Sequence, residues 1–293
     1  MRDTSRGYVA ALAAFVFWGF LPLYFMPLHD VPAVQVVAHR VVWSFALVLG
    51  AMALRGELGE IRATLVDSGV LVRLLGSAAF ISINWIMYVW AIAHGHVVDA
   101  SLGYFITPLV NVLMAVVVLS ERLNRLQWTA VALAALGVTY LTLETGELPW
   151  ICLTLGFSFA TYGLIRKIVH VEALAGLATE TLLLMPLALG YLIWCEAAGS
   201  AALGHASLEI DALLIGSGPV TATTLFLFAY SARRIPLSTL GVLNYIAPTL
   251  QLACGVFIFH EPFGRAHAIG FALIWTALLL YAGDGLWRAR PQT

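Results

Sequence analysis

Charged residues are scarce in this sequence: they occupy 11% of its 293 positions, whereas soluble domains carry about 25%. Hydrophobic residues make up 61% of the chain, and its mean hydropathy is +0.92. A membrane-spanning helix needs roughly 20 predominantly apolar residues, and runs of that length recur throughout the sequence. The shortage of charge therefore excludes an ordinary soluble domain and indicates an all-α integral membrane protein.

Cysteine and net charge are also low. The three cysteines, Cys152, Cys195 and Cys254, each lie alone among apolar residues. This spacing predicts neither a disulfide framework nor a metal site, so we expect small buried packing residues. The formal net charge is −1, and no basic patch is present to neutralise phosphates. A nucleic-acid partner is therefore not expected.

The motifs of several enzyme classes are missing. The sequence contains no His-Glu-x-x-His, no Gly-x-Ser-x-Gly and no Gly-x-x-x-x-Gly-Lys. His94, His96 and Asp99 lie close together, but their short segment offers no evident fourth metal ligand. We therefore expect no metal, no cofactor and no enzymatic activity, and we keep an intramembrane enzyme as an alternative function.

Ten apolar runs predict ten transmembrane helices, separated by charged or turn-rich segments. The segment 55–69 is predicted to be one of the connecting loops. The predicted helices lie near residues 8–26, 34–54, 70–93, 98–119, 126–143, 149–168, 174–194, 210–230, 237–259 and 266–286.

The positive charges test this count of spans. With ten spans, thirteen of the fifteen basic residues fall on the same side of the membrane as the N-terminus. The exceptions are Arg265, on the opposite side, and Arg40, inside the second span. Because cytoplasmic loops are enriched in Lys and Arg, both termini are predicted to be cytoplasmic.

An internal repeat emerges when the sequence is aligned with itself at an offset of 140 residues. Tyr104–Pro108 then overlies Asn244–Pro248, and Glu121 overlies Glu261. The alignment predicts two related halves of five spans each, residues 8–143 and 149–286. Because five is odd, the halves must insert in opposite orientations. Inverted repeats are typical of secondary transporters, whose substrate site lies between the halves near the midplane.

Several of these segments also carry a resemblance to a known family. They are Phe17-Trp18-Gly19, the run from His39 to Ser44, Asn84-Trp85, Ser101 to Leu109 with Ser120-Glu121-Arg122, and Leu243 to Thr249 with His260-Glu261-Pro262. On these residues the chain resembles the EamA group of the drug/metabolite transporter (DMT) superfamily, and within it the RarD proteins, over roughly residues 7–286. The resemblance implies a ten-helix, 5+5 inverted-repeat transporter of small organic solutes in the bacterial inner membrane.

Two ionisable residues inside predicted spans are candidates for function, because such residues are costly within a membrane. Arg40 lies inside the second span with Trp43 on the same helix face. Together they are predicted to bind an anionic or aromatic ligand. The alternatives for Arg40 are a structural ion pair and a side chain whose guanidinium reaches the membrane interface. Glu180, inside the seventh span, is predicted to be a proton carrier or the counter-ion of Arg40 or Arg166. A backbone hydrogen bond is its alternative role.

Asn84, Trp85 and Tyr88 form a polar-aromatic face on the third span, and further candidates lie on the two proline-containing helices. Pro108 and Pro248 are expected to break their helices, since each frees a backbone carbonyl within the membrane. Hydrogen bonding between helices is the alternative role for the polar side chains. The predicted substrate-binding residues, besides Arg40 and Trp43, are Asn84, Tyr88, Tyr104, Asn244 and Tyr245.

Residues at the ends and edges of the spans are assigned structural roles. Glu121 and Glu261 are expected to interact with the N-terminus of the helix that follows each of them. Ala130, Ala134 and Gly137 form a face of small residues on the fifth span. This face is predicted to be a close-packing surface at the periphery, where it would serve a possible homodimer.

The inverted repeat predicts a secondary transporter that works by alternating access. The resemblance implies that its substrate is a small organic solute, a metabolite or a drug, and export is the expected direction. Its expected partners are the small-molecule substrate and membrane lipid. A passive channel is a second alternative, although the sequence shows no selectivity-filter segment, and two inverted halves in one chain argue against a pore of identical subunits.

Overall fold

The first apolar segment forms two helices rather than one. The computed structural model describes residues 2–120, 123–232, 234–235, 240 and 243–288, and these residues contain helices and no β-strand. Helix α1 (Arg2–Gly19) is followed by α2 (Leu21–Phe25) and a 3-10 turn (Met26–Leu28), with a bend of 47° at the junction. Pro22 lies in the first turn of α2 and has no N–H to donate to the preceding turn. The single helix predicted over residues 8–26 is therefore wrong in this detail.

The other helices lie close to the predicted positions. Tyr245 precedes α11, and the chain leaves α11 through a π-helical turn at Cys254–Ile258. The predicted start of the ninth span, near residue 237, lies outside the described residues. The helices are α3 (Ala33–Arg55), α4 (Leu58–Val66), α5 (Ser68–Ala93), α6 (Val97–Leu119), α7 (Arg125–Thr145), α8 (Trp150–Ile168), α9 (Ala173–Ala197), α10 (Leu208–Ala232), α11 (Ile246–Ala253) and α12 (Arg265–Arg288).

The lengths and hydropathy of these helices are those of a membrane protein. Among the described residues, seven helices are long and apolar enough to cross a membrane, and the bent pair at the N-terminus adds an eighth candidate. Two shorter apolar helical segments cover Ile246–Ile258 and Arg265–Tyr281. Because so many helices match the thickness of a bilayer, the chain is an all-helical, multi-pass membrane protein.

Helix α4 occupies the segment that was predicted to be a loop. Its buried residues, Ile61 and Thr64, lie on the side that faces α9, and the hydroxyl oxygens of Thr64 and Thr179 are 2.8 Å apart. Gly56 ends α3 with a φ of 71°, and Asp67 caps the N-terminus of α5. Nine residues are too few to span a bilayer, so hydropathy alone could not identify α4.

Pro108 leaves its helix intact, whereas a turn at Asn244 and Tyr245 interrupts the ninth predicted span just before Pro248. Pro108 lies inside α6, which stays continuous from Val97 to Leu119, because a missing N–H removes only one hydrogen bond of the helix. The predicted helix break at Pro108 is therefore wrong. Pro248 lies in the first turn of α11, where a backbone N–H has no acceptor within the helix in any case. The helix begins before this proline and continues through it.

Most of the packing joins helices of the first predicted half to helices of the second. Helix α3 packs against α9 and α10, α5 and α6 pack against α8, α1 packs against α10 and α11, and α7 packs against α12. Helices α3 and α10 approach closely at Gly218, where a Cβ atom would collide with the backbone of Trp43. The three cysteines are free and buried, as predicted.

The small-residue face of α7 is covered by the same chain. Ala130, Ala134 and Gly137 are buried, and a Cβ atom on Gly137 would lie 3.2 Å from the carbonyl oxygen of Gly270 on α12. The prediction of a close-packing surface is confirmed. Within the chain this face packs on α12, the helix of the tenth span, and a homodimer stays a prediction.

Candidate functional site

Arg40 lies in the interior, between helices of both predicted halves. Its side chain is on α3, and the residue is 6% exposed. Nε donates a hydrogen bond to Thr221 Oγ1 on α10 at 2.7 Å. The guanidinium carbon lies 4.1 Å from the ring centre of Trp85 and 5.8 Å from that of Phe25. Arg40 thus makes a cation–π contact with an indole, but the indole belongs to Trp85 rather than to Trp43.

Aromatic rings extend from Arg40 along α2, α5 and α6. Phe25 meets Tyr88 edge to face at 6.3 Å between ring centres, and Tyr88 meets Tyr104 in the same way at 5.6 Å. We call Phe25, Arg40, Trp85, Tyr88 and Tyr104 the Arg40 cluster. The cluster combines one cation with four aromatic rings.

Some hydrogen-bond donors in and beside the cluster have no acceptor. The described residues offer no partner to the buried Tyr88 hydroxyl or to Trp43 Nε1. The same part of the chain places no carboxylate within ion-pair distance of Arg40, whose one hydrogen bond is to Thr221. Buried polar groups are nearly always paired, and a buried charge without a counter-ion is costly. The cluster therefore has hydrogen-bonding capacity that the described residues leave unused.

Asn84 holds helices together next to the cluster. Its Nδ2 donates to the carbonyl oxygen of Leu155 and to Ser158 Oγ, both at 3.1 Å. Its Oδ1 accepts a hydrogen bond from the hydroxyl of Tyr104 at 3.0 Å. Both donors and the carbonyl of this amide are thus engaged. This arrangement fits the alternative role of a bond between helices, and it orients Tyr104.

Three predicted substrate-binding residues lie away from the guanidinium contacts. Trp43 faces α10, where its backbone packs on Gly218. Tyr245 stacks on Phe105 of α6, with 6.4 Å between ring centres and an angle of 13° between planes. Asn244 is half-buried, and its backbone N–H donates to the carbonyl of Leu240. The structure therefore brings Arg40, Tyr88 and Tyr104 together, with Asn84 adjacent. Trp43, Asn244 and Tyr245 are not part of this cluster.

Glu180 forms a second buried polar site. Glu180 is 2% exposed, and its Oε1 accepts a hydrogen bond from Ser77 Oγ at 2.6 Å. Arg166 Nη1 lies 3.7 Å from the same oxygen. The guanidinium of Arg166 lies directly on Gly176, where any Cβ atom would collide with it. Of the two arginines that were considered as partners of Glu180, the structure places Arg166 beside it.

Glu261 caps a helix of the other predicted half. Its two carboxylate oxygens accept hydrogen bonds from the backbone N–H groups of Val97 and Val98, each at 2.7 Å. These residues begin α6, so the predicted interaction with the helix that follows Glu261 is wrong. An anion at a helix N-terminus is favourable wherever the helix comes from, and the fold brings α6 closer. Glu121 lies outside the described residues.

The contacts of Arg40 with Phe25, Trp85 and Thr221 were missed as site contacts by sequence reasoning. Trp85 was assigned with Asn84 and Tyr88 to a polar-aromatic face of the third span, but its contact with the guanidinium was not predicted. Phe25 and Thr221 lie among many apolar residues and offer no such signal. Their part in the site depends on the packing of α2 and α10 against α3.

Comparison with known proteins gives a consistent set of similarities. A model of the EamA-like transporter family matches residues 5–143. Protein RarD of Streptomyces exfoliatus is 44% identical over 99% of this chain and 92% of its own length. The uncharacterized transporter YojE of Bacillus subtilis is 42% identical, over 95% of this chain and 94% of its own. The chloramphenicol-sensitive protein RarD of Pseudomonas aeruginosa is 32% identical, over 100% and 98%.

One solved crystal structure also has a similar fold. It covers 98% of this chain and 99% of its own, with a TM-score of 0.60 and 20% sequence identity. At this level of identity the similarity concerns the arrangement of helices along the whole chain.

Proposed function

Because the chain belongs to the EamA-like transporter family, in its RarD group, we propose that it is a secondary transporter. In this proposal it exports a small organic solute across the bacterial inner membrane by alternating access. The observation that carries the proposal is Arg40, a buried cation whose contacts come from both predicted halves. A substrate anchored there would contact both halves, and their relative motion would expose it to either side of the membrane.

The helices support a count of ten spans. The seven long apolar helices, the bent pair and the two shorter apolar segments add up to this number. With ten spans both termini lie on one side, and the distribution of Lys and Arg favours the cytoplasm.

Three features of the structure support the inverted repeat. Ser120 and His260, which are 140 residues apart, are the described non-glycine residues with positive φ, at 56° and 55°. Phe105 and Tyr245 correspond under the same offset, and they stack on each other, as residues near a two-fold axis do. Helix α7 packs on α12 and α3 on α9, so corresponding spans of the two halves meet.

Glu180 is proposed to couple transport to proton movement. Ser77 belongs to the first predicted half, whereas Arg166 and Glu180 belong to the second. Protonation of this carboxylate would neutralise it, weaken the pair with Arg166 and change a contact between the halves. Such a change is what a coupling site must transmit.

Replacement of Glu180 by Gln distinguishes exchange of the substrate from coupling of its transport to protons. The amide can still accept the hydrogen bond from Ser77, but it cannot carry a proton at neutral pH. We expect Glu180→Gln to retain counterflow of the substrate and to lose accumulation driven by a pH gradient. Both are measured in proteoliposomes, with Glu196→Gln, an exposed position on the same helix, as the control. Gradient-driven accumulation in the Glu180→Gln protein would remove this residue from the coupling mechanism.

Counterflow tests the proposed function itself. Proteoliposomes are loaded with candidate solutes, namely amino acids, aromatic metabolites, nucleosides or chloramphenicol-like drugs, and the entry of labelled solute is recorded. We expect saturable counterflow that Arg40→Ala abolishes and that Arg55→Ala, an exposed change at the end of the same helix, preserves. Uptake that does not saturate would indicate the channel, and conversion of the solute would indicate the enzyme. Either result would contradict the transporter.

A further inference from the structure

The Arg40 cluster offers donors and positive charge without a matching anion. Nε of Arg40 is engaged by Thr221, so the edge of the guanidinium that carries the two terminal nitrogens is left for a ligand. The hydroxyl of Tyr88 has no partner among the described residues, and the Tyr88 ring packs edge to face on Phe25, which itself lies beside the guanidinium. The polar group that this arrangement recognises is an acceptor with negative charge.

The geometry of the donors selects the shape of that group. A guanidinium presents its paired N–H groups in one plane, and a carboxylate accepts two of them side by side. One cation balances one negative charge, so a monoanion leaves the buried site neutral, whereas a dianion leaves a charge uncompensated.

The walls of the cluster select the remainder of the ligand. The rings of Trp85 and Phe25 lie 4.1 and 5.8 Å from the guanidinium carbon, and two tyrosine rings continue from Phe25 along α5 and α6. Tyr104 also meets Phe159 of α8 edge to face, with ring centres 5.8 Å apart. Flat aromatic surfaces of this kind favour an apolar or aromatic body.

The cluster also discriminates against an ammonium group. None of its five members is acidic, and Glu180 is engaged by Ser77 and Arg166. A zwitterionic amino acid would bring an ammonium group into a site where the described residues provide it with no carboxylate, beside the charge of Arg40. An organic cation would meet the same repulsion, and it has no carboxylate of its own to bind Arg40.

We propose, on the basis of the transporter function above, that the substrate is a monocarboxylate with an aromatic or apolar body and no amino group. Arg40 binds its carboxylate through the terminal nitrogens, and Tyr88 donates a further hydrogen bond. The rings of Phe25, Trp85 and Tyr104 enclose the body. Asn84 acts only as a positioning residue, because its hydrogen bonds fix Tyr104.

Four compounds with the same phenylpropyl skeleton test the proposal: 3-phenylpropionate, 3-phenylpropionamide, phenylalanine and 3-phenylpropylamine. Their dissociation constants are obtained from the rise in melting temperature of the purified full chain in detergent. We expect 3-phenylpropionate to bind at least about tenfold more tightly than each of the others, as loss of a charge-assisted hydrogen bond predicts. Equal binding of the amide or of phenylalanine would overturn the proposal, and so would no shift with millimolar 3-phenylpropionate.

Two variants connect the preference to the named side chains. Tyr88→Phe removes a hydroxyl that has no partner among the described residues, so the melting temperature without ligand should stay unchanged while binding of 3-phenylpropionate weakens about tenfold. Arg40→Gln should abolish the preference for the anion over the amide. Tyr8→Phe, at an exposed position of α1, is the matched control. An unchanged preference in Arg40→Gln would refute the assignment.

Counterflow distinguishes a wrong substrate class from a wrong function. If another solute shows saturable, Arg40-dependent counterflow while 3-phenylpropionate does not compete with it, the transporter stands and the substrate class is wrong. If 3-phenylpropionate binds with the expected variant effects and itself shows counterflow, both proposals are supported.

Discussion

At the scale of single residues, the interior of this protein contains two charged sites of different character. The carboxylate of Glu180 is paired within the chain, since Ser77 donates to it and Arg166 lies beside it. Arg40 has an aromatic ring and a hydroxyl for neighbours but no carboxylate among the described residues. An unpaired charge is costly in an apolar interior. The first arrangement is therefore a contact that protonation of Glu180 can change, whereas the second is suited to binding a ligand.

Gly176 provides a test of the paired site. A Cβ atom at this position would overlap the guanidinium of Arg166, so Gly176→Ala must displace that side chain from Glu180. We expect the free energy of unfolding to fall by about 1–3 kcal/mol, the usual cost of overpacking, and gradient-driven transport to weaken. Thermal unfolding and proteoliposome uptake measure the two effects.

The same helix supplies the matched control. Gly190 is exposed on α9, and a Cβ atom there would meet nothing within 4 Å. Because alanine favours helix over glycine by roughly 0.5–1 kcal/mol, Gly190→Ala should be neutral or slightly stabilising. Equal loss of stability in both variants would show that helix geometry, rather than Arg166, explains the effect.

The candidate residues were recognisable in the sequence only where their chemistry contrasted with their surroundings. Arg40 and Glu180 stand out because each is a charge within an apolar run. Thr221, which binds Arg40, is one of several hydroxyl residues on α10. Asn244 was linked to Tyr104 by the repeat, yet correspondence in a repeat does not specify which contacts each copy makes.

At the scale of elements, helix ends connect the two predicted halves. The carboxylate of Glu261 accepts both N–H groups at the start of α6, although it lies more than a hundred residues further along the chain. Glu261 follows His260, which has a φ of 55°. The left-handed backbone at that residue ends the π-helical segment and directs the carboxylate towards α6.

Glu261→Gln tests this cap. The two carboxylate oxygens accept one N–H each, whereas the amide of glutamine has a single oxygen to accept them. The amide also carries no charge to interact with the helix dipole. We expect the protein to lose about 1 kcal/mol of stability, measured as a lower melting temperature. Glu147→Gln, at an exposed position before α8, should have no effect. A melting temperature unchanged by Glu261→Gln would mean that packing alone positions α6.

The sequence predicted the presence of the long helices far better than their bends, their continuity through proline and the short helix α4. Long apolar runs such as 174–194 predicted α9 because about 20 successive apolar residues match the thickness of a bilayer, which a helix crosses with all its backbone groups paired. The bend before Leu21, the continuity of α6 through Pro108 and the short α4 all depend on single hydrogen bonds or on docking against neighbours. Hydropathy carries no information about single hydrogen bonds or about the docking of one helix on another.

At the scale of the whole molecule, the pattern of packing follows the proposed two-fold relation. Helices of one half pack chiefly against helices of the other, and Ser120 and His260 share an uncommon backbone conformation at corresponding positions. A chain with two halves packed in this way can rock one set of contacts against the other around a central site.

Cysteine labelling tests the proposed orientation. Asp30, whose side chain is 91% exposed, lies in the first predicted outer loop, and Glu60 lies on α4 in the first predicted cytoplasmic segment. We expect Asp30→Cys to react with a membrane-impermeant maleimide in intact cells and Glu60→Cys to react only after permeabilisation. The native cysteines are buried, so the unsubstituted protein provides the background. The reverse pattern would invert the topology and the direction assigned to transport.

The sequence by itself determined that this protein is a helical membrane protein with a repeated pattern, and it identified Arg40 and Glu180 as its unusual charges. These properties follow from hydropathy, loop charge and residue type, and each of these can be obtained from the sequence without knowing which helices are in contact. Only the tertiary structure decided that Arg166 is the partner of Glu180, that Glu261 caps α6, and that Trp85 and Thr221 contact Arg40. Those choices depend on which helices pack against each other, and residues far apart in sequence become neighbours only through that packing.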